Sequence, residues 1–181
     1  MNTTIKTQKL TLRPWTLEDL PTFELIYDKP DIADFTSSFV YPKPEGWAKE
    51  RLEQMIASFG IDSYSFAVGG AANIGLYLEH GSERAELGYT CNQNWRNRET
   101  VMYAIRAVNR WAFANLEVNR IQAFHFPHDS APGRVFKKGG LKCEGVQRGY
   151  LLKNGSSEDV IMYSLTRTAW LASHFVTAGL E

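Results

Sequence analysis

The residues best suited to chemistry crowd into one stretch, 89–116, which reads YTCNQNWRNRETVMYAIRAVNRWAFANL. Its start ends a strand, a short polar loop follows, and a long helix completes it. Two arginines, Arg96 and Arg98, sit in the loop just before the helix. The first amides of a helix have no intrahelical partner, and the positive end of the helix dipole lies there. An anion such as a phosphate is favoured at that place, and guanidinium forks add full charge to it. The same residues equally describe an ordinary surface connection with solvated arginines. Either way the helix needs an apolar face. Val101, Ile105, Val108, Ala112 and Leu116 supply one, and Arg106, Asn109 and Arg110 fall opposite.

The flanking elements must position this stretch. Residues 5–12 alternate toward their end and predict a first strand. Thr16, with Asp19 three residues on, resembles a capping box and starts a helix whose Leu17, Leu20, Phe23 and Tyr27 share a face. Lys29 and Pro30 end it. Residues 31–46 read as a loop carrying Phe35, Phe39 and Tyr41. A second helix over about 45–59 buries Ala48, Leu52, Met55, Ile56 and Phe59. Strands over 64–68 and 73–79 form a hairpin across the GGAA turn, and 83–91 is the strand that feeds the polar loop. After the long helix comes a strand over 120–126, the parallel partner of 83–91 because a helical crossover separates them. A short helix over 131–138 has Ser130 as its expected cap and Gly139-Gly140 as its end. Strands over 143–152 and 158–165 turn at Asn154-Gly155, and 169–177 is a C-terminal helix or tail. The order βααβββαβαββ gives a mixed, mostly antiparallel seven-stranded sheet. Its one parallel pair must splay or bulge, which opens a cleft beside the long helix's N-terminus.

Composition narrows the class. The chain has 181 residues and one domain's worth of core, with 20 basic and 20 acidic residues and no net charge. That balance argues against a dedicated nucleic-acid binder. Two cysteines suggest no disulfide framework, and the polar N-terminus lacks the apolar centre of a signal peptide. No apolar run is long enough to span a bilayer. A soluble cytoplasmic protein is expected. The common nucleotide and hydrolase fingerprints are absent. His125 and His128 are the nearest approach to a metal pair, but no cysteine or carboxylate has matching spacing, so no metal is expected.

The order of pieces resembles the GNAT superfamily of acetyl-CoA-dependent N-acetyltransferases, and within it the RimJ/RimL branch of ribosomal-protein alanine N-acetyltransferases. The pieces are LTLRPWTLEDL, AELGYTCN, WRNRETVMYAIRAVNRWAFANLEVNRI, PHDSAPGRVFKKGGLKCEG and YLLKNGSSEDVIMYSL. The resemblance implies a single α+β GNAT domain with helices on both faces of the sheet. It implies that the AELGY strand bulges and that its backbone, through Thr90, Cys91 and Asn92, holds the pantetheine arm. The loop Arg96, Asn97, Arg98, Glu99, Thr100 and Val101 would wrap the pyrophosphate. Asp129, Arg134 and Phe136 would meet the cofactor from the short helix. Glu86 is the implied general base, with pairing to Arg84 as the plain structural alternative. Phe35, Phe39 and Tyr41 would line the acceptor's mouth. The acceptor would be a small-molecule amine or a protein N-terminus.

Two departures from the family pattern stand out. Glu99 occupies a glycine position of the pyrophosphate loop, adding bulk and negative charge near phosphates. The positions that usually protonate the thiolate are Pro132 and Phe136, which hold no labile proton. Ser130, Tyr103 and Tyr150 are the nearby substitutes, Tyr150 being the one taken into the catalytic set. Two classes follow: a working acetyltransferase with a modified loop, or a GNAT-fold binding protein that has lost the cofactor. A monomer or a homodimer fits equally, with Trp170, Leu171 and Phe175 available to cover a second copy.

Overall fold

The computed structural model describes residues 3–28, 42–70, 72–92 and 98–178. The expectations for Phe35, Phe39, Tyr41, Arg96 and Asn97 lie outside the described residues, as do those for the side chains of Arg98 and Phe175.

Eight strands and five helices alternate along the described chain. The strands are β1 (Ile5–Lys6), β2 (Thr11–Pro14), β3 (Ser63–Val68), β4 (Ala72–Glu79), β5 (Arg84–Cys91), β6 (Arg120–His125), β7 (Lys142–Lys153) and β8 (Ser156–Thr166). The helices are α1 (Leu20–Tyr27), α2 (Trp47–Ala57), α3 (Arg98–Asn115), α4 (Ala131–Lys138) and α5 (Arg167–Ala178). One sheet holds all the strands in the order β1-β2-β3-β4-β5-β6-β8-β7. Every pair is antiparallel except β5–β6.

The expected first strand is two. Thr7 interrupts it: its backbone N–H donates to the Leu10 carbonyl at 2.9 Å, and its hydroxyl accepts from the amides of Lys9 and Leu10. A threonine that binds nearby amides turns the chain instead of continuing a ladder. At the start of the first helix, the Asp19 carboxylate accepts from the Thr16 amide at 2.9 Å and also takes a fork from Arg13. The face of α1 differs from the expectation. Phe23, Ile26 and Tyr27 are buried, while Leu17 lies on the preceding 3₁₀ turn and is exposed. Phe59 likewise leaves the α2 set and packs edge-on against Tyr64 and Phe66.

The sheet separates two cores. On one face α3 and α4 cover Ile74, Leu76, Ala85, Leu87, Ile121 and Ala123. On the other, α1 and α2 close over Trp15, Ala67 and their own Phe23, Ile26, Leu52 and Met55. Asn109, expected on the open side of α3, is buried, and its amide reaches the Gly139 carbonyl at 3.5 Å. Helix α5 locks the end of α3. Arg167 donates to the carbonyls of Phe113, Leu116 and Val118, the natural place for a cation at a helix C-terminus. Trp170 packs on Phe113 at 5.4 Å. At α4, Asp129, and not Ser130, takes the Ala131 amide, at 3.0 Å.

Candidate active site

The site is built where β5 and β6 part. They pair over three residues only, Arg84 with Arg120, Ala85 with Ile121 and Glu86 with Gln122. Past that point β5 pairs with β4 alone, out to Ala72 against Cys91, and β6 pairs with β8 alone, out to His125 against Ile161. The β4–β5 register runs without a shift, so the expected bulge of the AELGY strand is replaced by a splay on its other side. From Gly88 to Cys91 β5 is half-buried and lies beyond its register with β6. The fit to a pantetheine arm is judged on this parting of β5 from β6.

Alternation assigns the side chains. Ala85 and Leu87 point into the α3–α4 core, so Glu86, Gly88 and Thr90 face the α1–α2 side. Thr90 and Asn73 there hydrogen-bond the buried Tyr27 hydroxyl, and Asn73 also accepts from the Trp15 indole at 2.9 Å. Gly75, opposite Gly88, lets the Tyr77 ring fold over the sheet: a Cβ at Gly75 would lie 2.8 Å from that ring.

Glu86 is half-buried. Burial raises its carboxyl above the ordinary range and the nearby Glu79 adds to this, while a hydrogen bond from Tyr150 opposes both. Pairing with Arg84 is not what the structure shows. Arg84 binds Glu79 at 2.5 Å, leaving Glu86 without that cation. The Tyr150 hydroxyl also receives the Gln122 amide at 3.3 Å, and its ring packs edge-on against Phe124 at 5.3 Å. A bulge brings Tyr150 there. Between Gln147 and Leu151 β7 advances four residues while β8 advances two, with Gly149 at φ 58°. Bulges of this kind re-aim side chains beside active sites.

The sequence therefore named both Glu86 and Tyr150 but missed Gln122 between them. Register supplies the missing signal, because Gln122 is the parallel partner of Glu86. The remaining candidates scatter. Thr90, Cys91 and Asn92 lie half-buried along the open end of β5, and Thr100 is half-buried in the first turn of α3. Glu99 is exposed in that same turn. The helix begins at Arg98, earlier than the expected loop end. Val101 is buried in the core, so only its backbone can meet a ligand. Asp129 is engaged with α4 and Arg134 is exposed. Phe136 is buried and meets Tyr89 of β5 edge-on at 5.9 Å, bridging α4 to the parted strand. His125 is buried beneath α4, with Nδ1 donating to the Phe126 carbonyl at 2.8 Å and Nε2 facing the Tyr163 hydroxyl at 3.4 Å. Among the described residues no three of His, Cys, Asp and Glu come together as a metal site. No described helix is long and apolar enough to cross a membrane.

A sheet split at its one parallel pair, with a carboxylate at the fork, is the frame that the resemblance to acetyltransferases implies. The family model of the acetyltransferase (GNAT) domain matches residues 9–142, and the chain belongs to that family: it is an N-acetyltransferase. Among its relatives, the [ribosomal protein uS5]-alanine N-acetyltransferase of Escherichia coli is 28% identical over 137 residues, 70% of each chain. The ribosomal-protein-S5-alanine acetyltransferase of Vibrio fischeri superposes with a TM-score of 0.76 at 20% identity, over 93% of this chain and 99% of that one. The microcin C7 self-immunity acetyltransferase MccE, solved with acetyl-CoA and AMP, gives 0.76 at 17% identity over 88% and 93%. These likenesses place the chain with the RimJ/RimL-like type.

Proposed function

We propose that the chain is one GNAT domain that moves the acetyl group of acetyl-CoA onto a primary amine, a protein N-terminal alanine among its acceptors. The observation that carries this is Glu86, held half-buried beside Tyr150 where β5 and β6 separate. Acetyl-CoA supplies an acyl carbonyl activated as a thioester. The stretch of β5 that parts from β6, Gly88 to Asn92, and the first turn of α3 would hold it, with Phe136 against the pantetheine. The exposure of Glu99 supports this, because a solvent-facing carboxylate is screened from phosphates. The acceptor enters from the side of Phe124 and Tyr150. Glu86 takes a proton from its ammonium group, which frees the lone pair for attack; its raised proton affinity suits that task. The leaving thiolate takes its proton from solvent, since Pro132 and Phe136 have none to give. The bacterial relative named for ribosomal protein uS5 supports a peptide N-terminus as acceptor.

The test is a calorimetric titration of acetyl-CoA into the chain, with thiol release measured on an Ala-initiated peptide. The parent binds and turns over. Glu86→Gln binds acetyl-CoA as tightly but loses about 10²- to 10⁴-fold in kcat, the usual contribution of a positioned base. No binding by the parent, with binding gained by Glu99→Gly, would refute the reading.

A further inference from the structure

The groups behind Tyr150 form a continuous chain. Arg120 opens β6 and forks onto Glu144 at 2.8 and 2.6 Å, and Glu144 also accepts from the Ser164 hydroxyl at 2.6 Å. The remaining Nε–H of Arg120 donates to the Gln122 amide oxygen at 3.2 Å. A guanidinium accepts nothing, so the oxygen of Gln122 must face it. The amide nitrogen then faces Tyr150 and donates to its oxygen at 3.3 Å. A phenol that accepts from Gln122 keeps its single proton for another partner, and Glu86 is the register partner of that same Gln122 across β5–β6.

We infer that Gln122 and Arg120 are positioning residues: the order Glu144–Arg120–Gln122 fixes the Tyr150 hydroxyl as a donor aimed at Glu86. This rests on the reading of Glu86 as the base. Other charged and titratable neighbours are accounted for. Glu79 and Tyr77 face Glu86 from β4, Arg84 from its own strand, and Arg120 from β6; Glu79 and Arg84 are paired with each other. None of them dictates which way the phenol proton points. Gln122 does, because it is the donor the phenol oxygen receives.

The experiment compares the full chain with Gln122→Met, each with Tyr150 present or changed to Phe. The Glu86 carboxyl is titrated by ¹³C NMR in glutamate-labelled protein, and kcat/KM is followed against pH. With Tyr150 present, Gln122→Met moves the Glu86 titration upward and lowers kcat/KM at neutral pH about fivefold, the rate equivalent of one hydrogen bond of ~1 kcal/mol. In the Tyr150→Phe background the same change leaves the Glu86 titration where it was. Glu144→Gln, which loosens Arg120 without touching the amide, gives a smaller upward shift. An unmoved titration in Gln122→Met, or an equal movement without Tyr150, overturns the inference. A titration that moves while the pH–rate profile stays flat keeps the relay and removes Glu86 as the base.

Discussion

Gly133→Ala puts the packing beneath α4 to a quantitative test. Gly133 sits inside α4 at ordinary helical angles, so alanine suits the backbone and gains about 1 kcal/mol in helix propensity. A Cβ there would lie 2.5 Å from the Tyr163 hydroxyl and 2.7 Å from His125 Nε2. Neither atom is free to retreat. The Tyr163 ring is packed against Phe136 at 5.6 Å and His125 at 5.5 Å, and His125 is tied to the Phe126 carbonyl. Overpacking of a tight core costs about 1–3 kcal/mol, and parting the His125–Tyr163 contact adds about 0.5–1. The clash wins, and the variant is less stable by about 1–2 kcal/mol. For a chain of this length that lowers the melting temperature by about 5 °C. Thermal unfolding measures it. In a Tyr163→Phe background, which removes the 2.5 Å contact, the penalty falls by roughly half, a coupling that a double-mutant cycle resolves. A rise in melting temperature on Gly133→Ala, or strictly additive penalties, would refute the reasoning.

Two further predictions concern pH. Arg120 and the Ser164 hydroxyl push the Glu144 carboxyl down from 4.5 to about 2, so its contribution is complete above the ordinary value and is lost as pH falls toward 2. The full shift corresponds to about 3 kcal/mol, but the Glu144 side chain is 37% exposed and screening reduces this to ~1. Glu144→Gln is accordingly less stable by ~1 kcal/mol in denaturant at pH 7 and equal to the parent near pH 2. Glu86 behaves in the opposite sense. Its folded-state affinity for the proton is raised, so the fold loses stability as pH climbs from 4.5 through that raised value. Glu86→Gln therefore unfolds at higher denaturant than the parent at pH 8 but not at pH 4; the reverse order at pH 8 would contradict its burial.

Much of this was legible in the residues themselves. The hairpin turns at Gly69-Gly70 and Asn154-Gly155, the helix over 131–138 and the parallel crossover each carry a local signature, and each is present. Glu86 and Tyr150 were legible as chemistry but not as neighbours, since 64 positions separate them and only the β7 bulge joins them. Gln122 was silent because its role depends on register, and Asn109 was misplaced because a buried amide on α3 depends on where α4 ends. The break at Thr7 turned on a threonine hydroxyl outbidding the strand ladder, a contest that propensity scales do not decide.

The twelve residues of β7 form the outer rim of the sheet and leave one row of peptide groups open. Rims of that length are templates for runaway strand association. Here the register slips twice, at Cys143/Gly145 and at Gln147/Leu151, with Gly145 at φ 114°. An incoming extended chain would find no straight run long enough to zip onto. The same kink that carries the Tyr150 phenol toward Glu86 thus also denies a neighbouring molecule a straight edge to extend.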